Sequence, residues 1–358
     1  MDSQLTVADS GLPASVAGSN REIAVSAWGV IWRAAVITFG LAAFVPTGTS
    51  SLGPRAQPAV SYETAMLLAQ ELQRADSMAT PDGKSVLRVH GHRTPRAIVF
   101  FHGLTNSPRQ YVALADSIYN AGDNVLVPRL PWHGLKGGTA SNLGKMTADA
   151  LRNVADASVN IASGLGDTVI VFGVSLGGDV AAWVAQFRPV YRSVVASPAL
   201  GLSHLSTTVQ TPTMNLMLRL PNYSASDPPD TLRPDRTLGW STRGVGEMLK
   251  FGTSVRRAAD DKAPLARDIR VLANAGDATV NREAIDELVA HWQAKGAPVV
   301  YYEMADTLKL PHDIVDPDEP TGNPKISQPV ILALIRGSSP TPSQGVRVIS
   351  RNKQDTTR

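Results

Sequence analysis

The chain has 358 residues, 43% of them hydrophobic and 18% charged, with a formal net charge of +3. That composition suits a globular protein with a sizeable core. The charges are scattered, with no basic stripe interleaved with aromatics, which argues against nucleic-acid binding. There is no cysteine, which removes disulfides, thiolate zinc sites and cysteine nucleophiles together.

Residues 1–20 are small and polar without periodicity and are expected to be disordered. Residues 21–50 form an apolar, signal-like or anchor-like segment. Arg21 and Arg33 serve as a positive n-region, Ala34 to Val45 as an apolar h-region, and "PTGTSS" as a small-residue exit. Arg33 near the middle of the apolar run disfavours a simple membrane span. The expectation is an exported (periplasmic or extracellular) or membrane-anchored protein, with residues 22–46 as the point of membrane association. A cytoplasmic protein in which this helix packs on a core is the alternative. The tail 338–358, "SSPTPSQGVRVISRNKQDTTR", is expected to be disordered.

Between these ends, residues 51–337, strand and helix patterns alternate. "SVLRVHG" and "RAIVFFHGL" read as strands. "SPRQYVALADSIYNAG" reads as a helix opened by a Ser107–Gln110 capping box around Pro108 and closed by Gly122. "NVLVPRLP" is the next strand, followed by an amphipathic helix from Thr147 to Gly166. The strand "TVIVFGVS", the helix "LGGDVAAWVAQF" and the strand "YRSVVASPAL" come next. After residue 266 the order is "IRVLANAG", a helix bearing Ile285, Leu288, Val289 and Trp292, "PVVYYEM", and a last helix "SQPVILALIRG". Short continuous apolar runs alternating with amphipathic helices predict a mostly parallel, doubly wound α/β sheet. Residues 203–266 break the rhythm and are too long for an ordinary loop, so they are read as an inserted cap.

The chemistry concentrates in "FGVSLGGD". A serine hydroxyl needs an adjacent base and must be held clear of its own backbone. A sharp strand-to-helix turn supplies the second condition, and bulky neighbours would collide there. Gly173 and Gly177 around Ser175 fit G-x-S-x-G, and Gly178 lets the helix lie close on the strand. The Leu176 N–H is one donor for a developing oxyanion. The second is read as the Leu104 N–H in "FFHGLTNSP", where Gly103 permits the bend and His102 shapes the loop by hydrogen bonding. Of seven histidines, only His312 in "LPHDIV" lies in a loop after the final strand of the sheet, so it is the candidate base. Asp277 in "ANAGDATV" follows the strand after the cap and is the candidate orienting acid. Asp306 is the second choice, and Asp313 is expected to face solvent. His133 in "PWHGL" is expected to line the substrate pocket, with a structural turn as the alternative. Met214 and Met217 of the cap are read as further substrate-binding residues.

These motifs, "FFHGLTNSP", "VPRLPWHGL", "FGVSLGGDVAAW", "ANAGDATV" and "LPHDIV", taken in order, resemble the α/β-hydrolase family. The likeness is closest to its bacterial carboxylesterase and monoacylglycerol-lipase-like branch. It covers about residues 85 to 337. The resemblance implies an eight-stranded sheet with a cap inserted after the sixth strand. It implies Ser175 as nucleophile, His312 as base, Asp277 as acid, and Leu104 and Leu176 as oxyanion donors. It also implies a small-molecule ester substrate with an apolar group and no metal or organic cofactor. Thioesterase, amidase, peptidase or acyltransferase chemistry on the same triad, and a non-catalytic binding scaffold, are the alternatives. "PWHG" stands where many relatives have P-G-H-G, which puts the pocket wall near His133 in question.

Overall fold

The structure, a computed structural model, describes residues 28–34, 38, 40, 43–45, 48, 52–226 and 233–349. The expected disordered stretch 1–20 and the tail beyond residue 349 lie outside them. The chain divides into two units, 1–45 and 46–358. In the first, residues 28–34 are helical and expose Trp28, Val30, Ile31 and Trp32. Among the described residues no helix is long and apolar enough to cross a membrane.

The second unit is built on one eight-stranded sheet. In chain order its strands are β1 (Val86–Arg88), β2 (Thr94–Phe101), β3 (Asn124–Val127), β4 (Gly166–Val174), β5 (Arg192–Ala196), β8 (Asp268–Asn274), β9 (Val299–Met304) and β10 (Val346–Val348). The spatial order is β1-β3-β2-β4-β5-β8-β9-β10. The six inner strands are parallel, and β1 and β10 run antiparallel at the two edges. Strands β6 (Ser224–Ala225) and β7 (Trp240–Ser241) form a separate hairpin.

The inner strands are apolar on both faces because helices cover both. Alternate residues feed two cores. Val99, Phe101, Val171, Val195 and Val271 point to one, and Ile98, Phe100, Phe172, Val194 and Leu272 to the other. The first is closed by α1 (Tyr62–Arg74), α4 (Ala148–Leu165), α5 (Leu176–Phe187), α7 (Thr242–Asp261) and α8 (Arg282–Ala294). The second is closed by α2 (Val112–Asn120) and α9 (Pro324–Arg336). The short α3 (Ala140–Leu143) and α6 (Thr207–Arg219) complete the helices used here.

Four expectations change. The insertion follows β5, the fifth strand of this sheet, not the sixth. Residues 203–266 are not all cap. Helix α7 joins the layer over the sheet, burying Leu249, Phe251, Val255 and Ala259 in the main core and closing the crossover from β5 to β8. The tail is ordered through β10, where Val346 is buried and pairs with Met304. The Ser107–Gln110 capping box does not form. Ser107 caps a short 3-10 turn over Pro108–Tyr111, while the Gln110 amide turns away to bond Gly103 and Asp313.

The sheet also fixes where a site can form. From β2 the chain steps to β3 on one side and to β4 on the other, and a reversal of this kind opens a crevice at the carboxyl ends of the strands.

Candidate active site

Strand β4 ends at Val174 and α5 begins at Leu176, so Ser175 alone makes the turn. Its backbone is at φ 58, ψ −124, a region that costs an L-residue about 1–3 kcal/mol. The turn is held by the Ser175 N–H on the Ala196 carbonyl at 3.2 Å and by the Asp179 and Ala199 N–H groups on the Ser175 carbonyl. Each neighbouring glycine answers a separate close approach. A Cβ on Gly173 would stand 1.9 Å from the Gly177 carbonyl oxygen, and one on Gly177 would stand 1.8 Å from the Phe101 carbonyl oxygen. On Gly178 it would lie 2.7 Å from the Ala196 oxygen and 2.9 Å from Pro198 Cα. The G-x-S-x-G-G pattern is therefore the condition for β4, α5 and β2 to meet at one serine.

Two loops bring the other groups. His312 Nδ1–H donates to Asp277 Oδ2 at 2.7 Å, and the Asp277 side chain is only 1% exposed. Burial pushes the Asp277 carboxyl up, but the bond from His312, the imidazole charge and the Thr279 N–H outweigh it and hold it below the usual carboxylate range. Asn274, the last residue of β8, fixes the histidine loop by donating its Nδ2–H groups to the Leu310 and Pro311 carbonyls, both at 3.0 Å. His312 Nε2 is buried without a hydrogen-bond partner. Ser175 and His312 line one cavity of about 380 Å³. Asp306, the alternative acid, is exposed and pairs with Lys309. Asp313 does not face solvent as expected; its carboxylate turns onto Asn106 and Gln110.

The loop after β2 is shaped from behind by two buried histidines. His102 receives the Leu130 N–H on Nε2, so its proton is on Nδ1 and is donated to the Gly103 carbonyl at 2.9 Å. His133 Nε2 faces the Leu104 carbonyl at 2.6 Å and Nδ1 the Pro131 carbonyl at 2.9 Å. A neutral imidazole has one N–H, and we assign it to the shorter contact. The Gly103 N–H is taken by Gln110 Oε1 at 3.0 Å. Leu104 and Ser175 line the cavity, and Leu176 is the first residue of the helix beginning there.

Burial pushes both histidines down, His133 to about 4, against an ordinary 6.5. The unfolded chain therefore takes up protons below pH 6.5 that the native state refuses, so this contribution is full above 6.5 and lost as pH falls toward 4. The loss is roughly 1.4 kcal/mol per pH unit for each histidine. Asp179, buried in the first turn of α5 and pushed well above the carboxylate range by that burial, acts in the opposite sense. The histidine effect is accordingly read by difference. His133→Gln is expected to flatten the fall in urea midpoint between pH 7 and pH 5, and an unchanged slope would mean that His133 already titrates normally.

The cavity wall is apolar along Leu202, Val245, Met248 and Val280. Arg236 and Glu319 stand at its polar part, 3.5 Å apart. His133, Met214 and Met217 are not among its lining residues. His133 is consumed by the loop carbonyls, as the turn alternative had it, and Met214 is buried between α6 and the core. Met217 packs against Gly246 of α7. The methionine pattern in the sequence marked core packing. Val245 and Met248, missed in the sequence, face the cavity because α7 approaches it only through its first turns.

The strained serine elbow, the Asp–His pair and the sheet order define a class, and a family model described as "Alpha/beta hydrolase family" matches residues 98–331. The chain belongs to the α/β-hydrolase family. Among solved structures, a monoacylglycerol lipase from Paleococcus ferrophilus matches at 20% identity and TM-score 0.52, covering 71% of this chain and 98% of its own. A structure reported for LipS and LipT, two metagenome-derived lipolytic enzymes, matches at 17% identity and TM-score 0.51, over 72% of this chain and 99% of its own. A soluble variant of monoglyceride lipase from Saccharomyces cerevisiae matches at 13% identity and TM-score 0.50, over 71% and 89%. At these identities the likeness is one of fold. No curated protein matches the chain.

Proposed function

We propose that this chain is a serine hydrolase of carboxylic esters, of carboxylesterase or monoacylglycerol-lipase type. The reading rests on one observation: Ser175, in its strained turn, shares a cavity with a histidine already oriented by a buried carboxylate. In the proposed reaction Ser175 Oγ attacks the acyl carbon while His312 Nε2 takes its proton. Asp277 holds the imidazole in the required tautomer and offsets the charge it gains. The Leu104 and Leu176 N–H groups receive the oxyanion. Collapse of the tetrahedral intermediate expels the alcohol, which leaves with the proton from His312. Water, activated by the same imidazole, then attacks the acyl-enzyme and releases the acid. No cofactor enters these steps.

The apolar wall suits a substrate with an apolar acyl or alcohol group. Initial rates on 4-nitrophenyl esters from acetate to octanoate, beside a matched thioester and anilide, test the assignment. Ester turnover should exceed anilide turnover and show a burst of at most one product per active site. Faster anilide than ester turnover would move the reading to an amidase, and none on any substrate would sink it. Met248→Trp, which fills the cavity, is expected to shift the kcat/KM ratio of octanoate to acetate down by at least about tenfold, since each lost methylene contact is worth ~0.8 kcal/mol. An unchanged ratio would place the acyl chain elsewhere.

The apolar run at residues 22–46 supports a location outside the cytoplasm, with association at a membrane surface. Fractionation of cells expressing the full chain tests this, and recovery in the cytosol alone would count against it.

A further inference from the structure

The loop that carries the base and the loop that carries the oxyanion donor are tied together through one carboxylate. Residues 103–106 follow β2, and residues 309–313 follow β9. Asp313 Oδ2 accepts Asn106 Nδ2–H at 2.7 Å and Gln110 Nε2–H at 2.8 Å. Its Oδ1 accepts the Val315 and Asp316 N–H groups, each at 3.0 Å. Gln110 in turn accepts the Gly103 N–H at 3.0 Å. A continuous path thus runs from the Gly103 peptide through Gln110 to Asp313, whose chain neighbour His312 bonds Asp277. Four N–H donors converge on one carboxylate, and they come from segments about two hundred residues apart in sequence.

We propose that Asp313 is a positioning residue, which sets the separation between the His312 imidazole and the Leu104 N–H by acting through Gln110 and Asn106. This rests on the hydrolase reading above. The arrangement has two consequences. By engaging the Gly103 N–H, Gln110 leaves the next amide, that of Leu104, as the loop's donor. By accepting from the NH2 groups of both amide side chains and from two backbone N–H groups, the carboxylate holds both loops against separate movement. A misplacement of about 1 Å between catalytic groups can cost roughly 10²-fold in rate, so a tie of this kind bears on turnover more than on ground-state binding.

The test compares Asp313→Asn, Gln110→Met and the double variant. An asparagine offers one oxygen and one NH2 to four donors, and so breaks the convergence without a change of volume. Each single variant is expected to lower kcat on 4-nitrophenyl butyrate by about 10- to 100-fold with KM within about twofold. Because both act on one path, the double variant should lie within about threefold of the worse single, not at the product of the two. Affinity for an alkyl trifluoromethyl ketone, whose hemiketal oxygen occupies the oxyanion position, should fall in parallel with kcat. If Asp313→Asn does not fold by circular dichroism, Gln110→Met carries the same test with Asp313 intact. Full kcat in the folded variants, a loss confined to KM, or multiplicative losses would overturn the proposal. A wild-type chain inert toward both ester and ketone would overturn the hydrolase reading, and this inference with it.

Discussion

Ser175→Ala is expected to reduce ester turnover by roughly 10⁴- to 10⁶-fold while leaving the fold intact. The hydroxyl oxygen is the only non-hydrogen atom removed, and Ala accepts the same backbone angles at the same strain. His312→Ala should cost a comparable factor, and the double variant little more, because nucleophile and base act as a unit. Ser175→Gly separates chemistry from strain. It should be equally inactive but more stable by about 1 kcal/mol, since glycine alone adopts φ 58, ψ −124 without a steric penalty. Kinetics and urea denaturation of the four variants check this together. Retention of more than a tenth of the activity in Ser175→Ala would assign the chemistry to another group.

The second large effect is structural. A methyl group on Gly177 would stand 1.8 Å from the carbonyl oxygen and 2.5 Å from the carbonyl carbon of Phe101. Both are backbone atoms of the last residue of β2, an inner strand of the sheet, and cannot rotate away. Helix α5 would have to lift from the sheet, and with it Val180, Trp183 and Val184, all fully buried. Gly177→Ala is therefore expected to cost at least about 3 kcal/mol, a large part of the ~5–15 kcal/mol that holds a domain together. Gly122→Ala is the control. Gly122 has φ +94 but open space around it, so its cost is the conformational one, about 1 kcal/mol. Urea midpoints for the two variants should differ in that order, and equal midpoints would mean that α5 does not lie on β2 as described.

The sequence was most legible where structure depends on neighbours in the chain. β4, the serine turn and α5 form one continuous stretch, and its glycines announce the close approaches they relieve. The order of strands and helices followed from apolar periodicity, and the Asp277–His312 pair from which loops follow which strands. What escaped was decided by distant partners. Gln110 stands three residues after Ser107, as in a capping box, but Gly103 and Asp313 offer its amide better bonds. Asp313 reads as solvent-facing because nothing near it in sequence reveals its two side-chain donors, Asn106 and Gln110, some two hundred residues earlier. His133 and Met214 were plausible pocket residues by type, yet the Leu104 carbonyl and the main core claim them. Helix α7 reads as part of the cap because a long irregular stretch precedes it, although its buried face belongs to the sheet layer. Val346 and its strand are hidden in a polar tail because the strand they pair with, β9, lies some forty residues earlier.

The proposed reaction requires Ser175 to be an activated nucleophile. Labelling with a fluorophosphonate probe, followed by mass spectrometry of the modified peptide, tests it most directly, because the probe phosphonylates only a serine whose proton can be withdrawn. The expected result is a stoichiometric label on Ser175 in the 358-residue chain, lost in His312→Ala. A folded chain that takes no label, or takes it on another serine, would contradict it.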